Sequence, residues 1–156
     1  MALDKVKAFF RAYGMEGNII EFDVSTATVE LAAQALNIEP CRIAKTLSFD
    51  VEGQPILVVA AGDAKVDNSA FKNTFRTKAR MLTPELTEQL IGHAVGGVCP
   101  FAINEGVKVY LDESLKRFET VYPACGSGNT AIELTLAQLE QFSSHKGWVN
   151  VCKNWQ

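Results

Sequence analysis

Apolar and polar positions follow two rhythms along this chain, one helical and one strand-like. Leu3, Val6, Phe10 and Tyr13 recur at helical spacing while Asp4, Lys5, Lys7 and Arg11 take the other side, which predicts an amphipathic helix broken by Gly14 and Gly17. Asn18 to Asp23 reads as a strand, and Ser25 or Thr26 then caps a second helix carrying Val29, Ala32, Ala33 and Leu36. Two strand-like runs, Cys41 to Val51 and Pro55 to Ala61, flank the turn-forming Glu52, Gly53 and Gln54 and predict a β-hairpin. Ile56 to Ala61 is apolar without alternation, the pattern of a central strand covered on both faces. Thr83 caps and Pro84 opens a further helix that is expected to turn Leu86 and Leu90 inward and to end at Gly92. Strands are predicted over Val107 to Leu111, Glu119 to Ala124 and Asn129 to Leu134. Thr135 and Gln138 have capping-box spacing and start a last helix with Leu136, Leu139 and Phe142 as its buried stripe. No repeat or long linker divides the chain, so residues 1–156 read as one α/β (α+β) domain, a mixed β-sheet flanked by helices.

Composition narrows the class. With 47% hydrophobic and 21% charged residues the chain has the makings of a sizeable globular core, and no apolar run approaches the roughly 20 residues that span a bilayer. A cytoplasmic protein with no membrane partner is expected. Cys41, Cys99, Cys125 and Cys152 form no C-x-x-C pair and no metal cluster with His93 or His145, so free thiols and no metal are expected. A net charge of −3 argues against a dedicated DNA reader. Locally, Lys72, Arg76, Lys78 and Arg80 form a basic run that suits either a local basic rim or a solvated helix face.

Four places can carry chemistry. Lys45 shares strand parity with Ile43, Leu47 and Phe49, so the pattern points a cation the same way as an apolar set. Such a lysine reaches a cleft that suits a phosphate or a carbonyl, or else it snorkels past the sheet edge or follows a bulge that resets parity. Gly96, Gly97, Val98, Cys99, Pro100 and Phe101 form a loop whose glycines permit positive φ and close approach of backbone N–H groups to an oxyanion; a plain tight connection accounts for the same letters. Asp63 lies just beyond the presumed central strand, where ligands gather in open α/β sheets, although Gly62-Asp63 also suits a turn and Asp67 a helix cap. Ala124 to Thr130 is a small, glycine-rich turn with room for a substrate, or simply a strand connection. There is no Gly-x-Ser-x-Gly elbow and no H-E-x-x-H, and His93 and His145 read as surface or capping residues. Nothing in the sequence pairs Cys99 or Cys125 with a histidine.

Together these segments resemble the YbaK/ProX family of aminoacyl-tRNA deacylases, which includes the editing insertion of bacterial prolyl-tRNA synthetase. The resemblance is carried by Ser25-Thr26-Ala27 entering the alanine-rich stretch Leu31 to Leu36, by Ile43-Ala44-Lys45-Thr46-Leu47, by Val58 to Asp67 and by Gly96 to Phe101, with Ile132-Glu133-Leu134 beyond. It implies a mixed sheet or partly closed barrel, no cofactor and no metal, and trans-editing of aminoacyl-tRNA at its 3′ end. In that picture Lys45 anchors the tRNA 3′ end, and the backbone of Gly96 and Gly97 positions the ester and the attacking water. Thr26, Thr46, Asp63, Val98, Cys99, Pro100, Phe101, Asn129 and Thr130 make up the rest of the substrate site. Some members use a polar residue where this chain has Ala131, which turns the expectation away from cysteine and toward another small noncognate amino acid. A synthetase partner fits the resemblance, as does the rival reading of a non-catalytic module that binds tRNA or a synthetase.

Overall fold

A computed structural model describes residues 2–155. In chain order the elements are α1 (Ala2–Arg11), β1 (Ile20–Glu21), α2 (Val29–Leu36), β2 (Ile43–Val51), β3 (Gln54–Ala61), β4 (Lys65–Val66), α3 (Asn68–Phe75), α4 (Pro84–Ile91), β5 (Lys108–Asp112), β6 (Thr120–Pro123), β7 (Thr130–Ala131), β8 (Leu134–Thr135), α5 (Leu136–Ser143), β9 (Gly147–Val149) and β10 (Cys152–Lys153). Six strands form a curled half-barrel sheet in the order β8-β6-β2-β3-β5-β9, and β1-β7 and β4-β10 add two small antiparallel pairs. The mixed sheet flanked by helices is therefore present.

The hairpin of β2 and β3 forms the centre. Glu52 and Gly53 both take positive φ, the conformation that lets a two-residue turn match the twist of its strands. Every residue from Ile56 to Ala61 is buried, and since neighbours point to opposite faces, both faces of β3 are covered. On one face Phe49 packs on Phe71 of α3, and Phe71 continues through Phe75 to Tyr110 at centroid spacings of 4.8, 4.7 and 5.0 Å. A second aromatic group joins Phe10 of α1 to Phe101 at 5.0 Å and to Phe142 of α5 at 5.3 Å.

The outer edge of β2 is paired at its two ends. The parallel ladder with β6 holds Ile43↔Tyr122 and Ala44↔Pro123, and further along the Leu82 N–H donates to Ser48 O and the Asp50 N–H to Arg80 O. Among the described residues no strand covers this edge between Ala44 and Ser48.

Several expectations are corrected. Thr28, not Ser25 or Thr26, caps α2, its side chain accepting from the Leu31 N–H, because Thr26 instead gives its own N–H to Gly128 O. The strand expected over Asn18 to Asp23 shrinks to β1 because a 3-10 turn occupies Glu16–Asn18, and the one expected over Asn129 to Leu134 divides into β7 and β8, which pair with different strands. In α4 the inward residues are Thr87 and Ile91, while Leu86 and Leu90 are exposed. The helix is rotated by one position because Thr87 Oγ1 pairs with the buried Ser48 Oγ at 2.9 Å. His93 is fully buried, since Gly92 at φ 102° turns the chain inward after α4. At the other end of the sheet the capping box is realised: Thr135 and Gln138 exchange side-chain and backbone hydrogen bonds at the start of α5. Thr135→Ala is expected to cost about 1 kcal/mol and to lower Tm by roughly 2–4 °C in a thermal melt, with the fold retained.

Candidate active site

The interrupted edge of β2 opens into a cleft of about 300 Å³. Its walls come from Thr26 to Val29 and Ala32 at the start of α2, Ile43 to Ser48 of β2, Met81 and Leu82, Val95, Gly96 and Val98, and Tyr122, Ala124, Thr130 and Ala131. That volume is at the lower end for small-molecule sites.

Lys45 lies in the cleft wall. Its register partner on β3 is Ala60, a small residue that leaves room for the lysine stem. The ammonium donates to Gly62 O at 3.4 Å and to Ala64 O, so two of its three donors are committed to main-chain carbonyls just past the end of β3. Burial pushes its pKa below the ordinary lysine value, while Cys152 and Asp63 act in the opposite direction. Gly62 carries no side chain because a Cβ there would collide with Pro40 O and Val29.

Three loops from distant parts of the chain form the opposite rim by packing main chain on main chain. The Gly97 N–H donates to Ala94 O and Gly97 O accepts from the Gly126 N–H, both at 3.0 Å, and the Thr26 N–H reaches Gly128 O at 2.7 Å. Gly96 has φ 98°, and a Cβ there would press Ala27 at 3.1 Å. A Cβ on Gly97 would come within 2.5 Å of Ser127 N. Gly96 and Val98 thus face the cleft, whereas Gly97 braces the rim and spends its N–H inside the loop.

Of the residues singled out in the sequence, Lys45, Thr46, Thr26, Gly96, Val98 and Thr130 converge on the cleft. Thr26 Oγ1 and Thr46 Oγ1 are buried with no hydrogen-bond partner among the described residues. Thr130 Oγ1 accepts from the Cys125 N–H at 3.2 Å. The others are placed elsewhere. Asp63 is held by Arg117 through contacts of 2.6 and 3.0 Å, and that guanidinium keeps its carboxyl below the usual carboxylate range. Asn129 closes its own turn, donating to Phe22 O and accepting from Ser127 Oγ. Cys99, Pro100 and Phe101 are buried outside the cleft lining, with Phe101 committed to the aromatic core.

The structure does pair a cysteine with a histidine: Cys99 Sγ lies 3.5 Å from His93 Nε2, which is 2.8 Å from Phe101 O. Both side chains are fully buried and neither lines the cleft, so the pair is out of reach of a substrate bound there. Burial pushes the Cys99 thiol up to about 12, and burial likewise lowers His93. Sequence reasoning missed Met81, Val95, Ser48, Thr87 and Tyr122 as cleft residues. Met81 and Val95 are 59% and 64% exposed at the mouth, yet as letters they read as ordinary core.

The aminoacyl-tRNA editing domain family matches residues 23–142, and the chain belongs to it. It is 52% identical to the uncharacterized protein YwhH of Bacillus subtilis (strain 168) over the full length of both chains. It is also 31% identical to the proline-tRNA ligase of Lysinibacillus sphaericus (strain C3-41) over 90 residues, 57% of this chain but 16% of that much longer protein. Among solved structures, one described as a proposed trans-editing enzyme for prolyl tRNA synthetase superposes with a TM-score of 0.87 at 27% identity, covering 97% of each chain. The hypothetical protein APE2540 superposes at 0.84 with 26% identity, covering 96% of this chain and 99% of that one.

Two outcomes test this geometry. Gly97→Ala forces the apposed main chains apart and is expected to cost about 1–3 kcal/mol in a denaturant melt, while Gly17→Ala, whose Cβ meets nothing within 4 Å, stays within about 0.5 kcal/mol. Asp63 has a lowered folded pKa, so its contribution is present above the ordinary carboxylate range and is lost as pH falls through the folded value. The stability gap between wild type and Asp63→Asn is therefore expected to hold at neutral pH and to close below about pH 4, measured by urea melts across pH.

Proposed function

We propose that this protein is a trans-acting deacylase that hydrolyses the ester of tRNA mischarged with a small noncognate amino acid. The observation that carries the reading is the convergence of Lys45, Thr26, Gly96 and Thr130 on one small cleft in a chain of the editing family. An aminoacyl ester is already activated, so orienting water and stabilising a tetrahedral oxyanion supply much of the rate. Water adds to the ester carbonyl, positioned for attack by the main chain of Gly96 and Val98, the loop glycine and its neighbour in the cleft. The bond to the ribose oxygen then breaks, and that oxygen takes up a proton as free amino acid and tRNA leave. The remaining Lys45 donor holds the tRNA 3′ end.

Size selects the acyl group. Ala27, Ala44, Ala124 and Ala131 line the cleft beside Val29 and Leu47, and a tight wall excludes larger side chains more readily than it rejects smaller ones. The exposed Lys72, Arg76, Lys78 and Arg80 lead to Met81 and Leu82 at the cleft wall, a path suited to phosphates. A partner synthetase would supply mischarged tRNA, as the local match to proline-tRNA ligases suggests.

The test is a hydrolysis panel over Ala-, Ser-, Thr- and Cys-tRNA. Wild type is expected to cleave at least one, and Lys45→Ala to lower that rate about 10- to 100-fold. Cys99→Ala is expected to retain the activity within a few-fold, because a buried thiol raised to about 12 supplies no nucleophile. No cleavage above background with any of the four would defeat the reading in favour of a module that binds tRNA without reacting.

A further inference from the structure

The open stretch of β2 has a defined chemical face. Along a strand, the N–H and C=O of one residue point to the same edge, and those of the next residue to the other. Ser48 O and the Asp50 N–H are bonded on the outer edge, to Leu82 and Arg80, so the even-numbered residues of β2 turn their main chain that way. The ladder to β6 ends at Ala44↔Pro123. Thr46 is the even-numbered residue between these pairings, and its N–H and C=O point into the cleft it lines.

A carbonyl and an N–H presented side by side match one residue of an antiparallel partner, which exchanges both hydrogen bonds with the residue opposite. An aminoacyl ester carries that pair of groups on a single carbon, an ammonium and an ester carbonyl. We infer that the aminoacyl group docks as the missing residue of the sheet edge, its α-ammonium donating to Thr46 O and its ester carbonyl accepting from the Thr46 N–H. The inference rests on the deacylase reading and specifies what that site recognises.

Two consequences follow for selectivity. Residues directly opposite in an antiparallel pair place their side chains on the same face. Thr46 shares its face with Ala44 and Ser48, so the side chain of an L-amino acid lies beside the buried Thr46 Oγ1, which has no partner among the described residues, whereas that of a D-amino acid is thrown toward the face of Lys45 and Leu47. The site therefore reads the free α-amino group and the L configuration before it reads the side chain. Thr46 contacts the substrate here through its main chain alone, which explains how a short gap in a sheet can select an acyl group without a dedicated carboxylate for the ammonium.

The experiment uses the full chain and four tRNA esters: the amino acid cleaved best in the panel, its D enantiomer, its α-hydroxy acid counterpart and its N-acetyl derivative. Each rate is divided by that ester's own uncatalysed hydrolysis. The hydroxy acid, N-acetyl and D esters are each expected to fall about 10- to 100-fold below the L-aminoacyl ester. Equal acceleration of the hydroxy acid and L-aminoacyl esters would overturn the docking mode while leaving the deacylase reading intact; no cleavage of any ester would remove both. A binding readout stands apart from turnover. Titration with a non-hydrolysable 3′-aminoacylamino-3′-deoxyadenosine is expected to move the Thr46 amide proton downfield in a ¹H–¹⁵N spectrum. Shifts elsewhere in the cleft with Thr46 unmoved would overturn the inference.

Discussion

Every main-chain N–H and C=O removed from water needs a partner, and β2 meets that demand from two unrelated sources on one edge. β6 serves its first two residues and the segment ahead of α4 serves its far half, and the two do not meet. The cleft is the space between them. Because Ile56 to Ala61 of β3 are buried on both faces, sliding the hairpin to close the gap would force its whole packed set to repack. The opening is thus held by the most buried part of the molecule, and its width is set by strand pairing rather than by side chains that could rotate into it.

Polar groups in and beyond the cleft divide into those already satisfied and those without a protein partner among the described residues. Asp63 and Arg117 satisfy one another, the Thr130 hydroxyl is taken up by its own turn, and His93 is locked to Phe101 within the core. Thr26 Oγ1 and Thr46 Oγ1 are buried without hydrogen-bond partners among the described residues, a costly state for a hydroxyl. Lys45 sits between the two groups: its ammonium leans on Gly62 O and Ala64 O, and burial weakens its hold on the proton. These carbonyls fix the ammonium without neutralising it as a paired carboxylate would.

The sheet and its central hairpin were legible because strand patterning is strongest where burial is greatest. The unalternated apolar run of β3, the turn at Glu52-Gly53 and the capping box of α5 are local signals that tertiary packing reinforces. Reading failed where a polar contact outweighed hydrophobic rhythm. Thr87 displaced Leu86 and Leu90 from the inside of α4 by finding Ser48, and Thr26 lost its role as a cap by joining Gly128. Lys45 and Gly96, which line the cleft, stood out because a cation on an apolar parity and a doubled glycine are unusual letters. Met81 and Val95 were not, since an apolar residue carries no mark of whether it lines a core or a cleft. The strands β4, β9 and β10 escaped notice because two or three residues are too few to show a period.

The rim opposite β2 is fastened by contacts of Gly97 with Ala94 and Gly126, and of Thr26 with Gly128, all through peptide groups. A seam sewn with peptide groups is indifferent to the identity of the side chains beside it. Alanines at 124 and 131 line the cleft but take no part in this seam, so the room inside the cleft and the fastening of its rim are set by different residues.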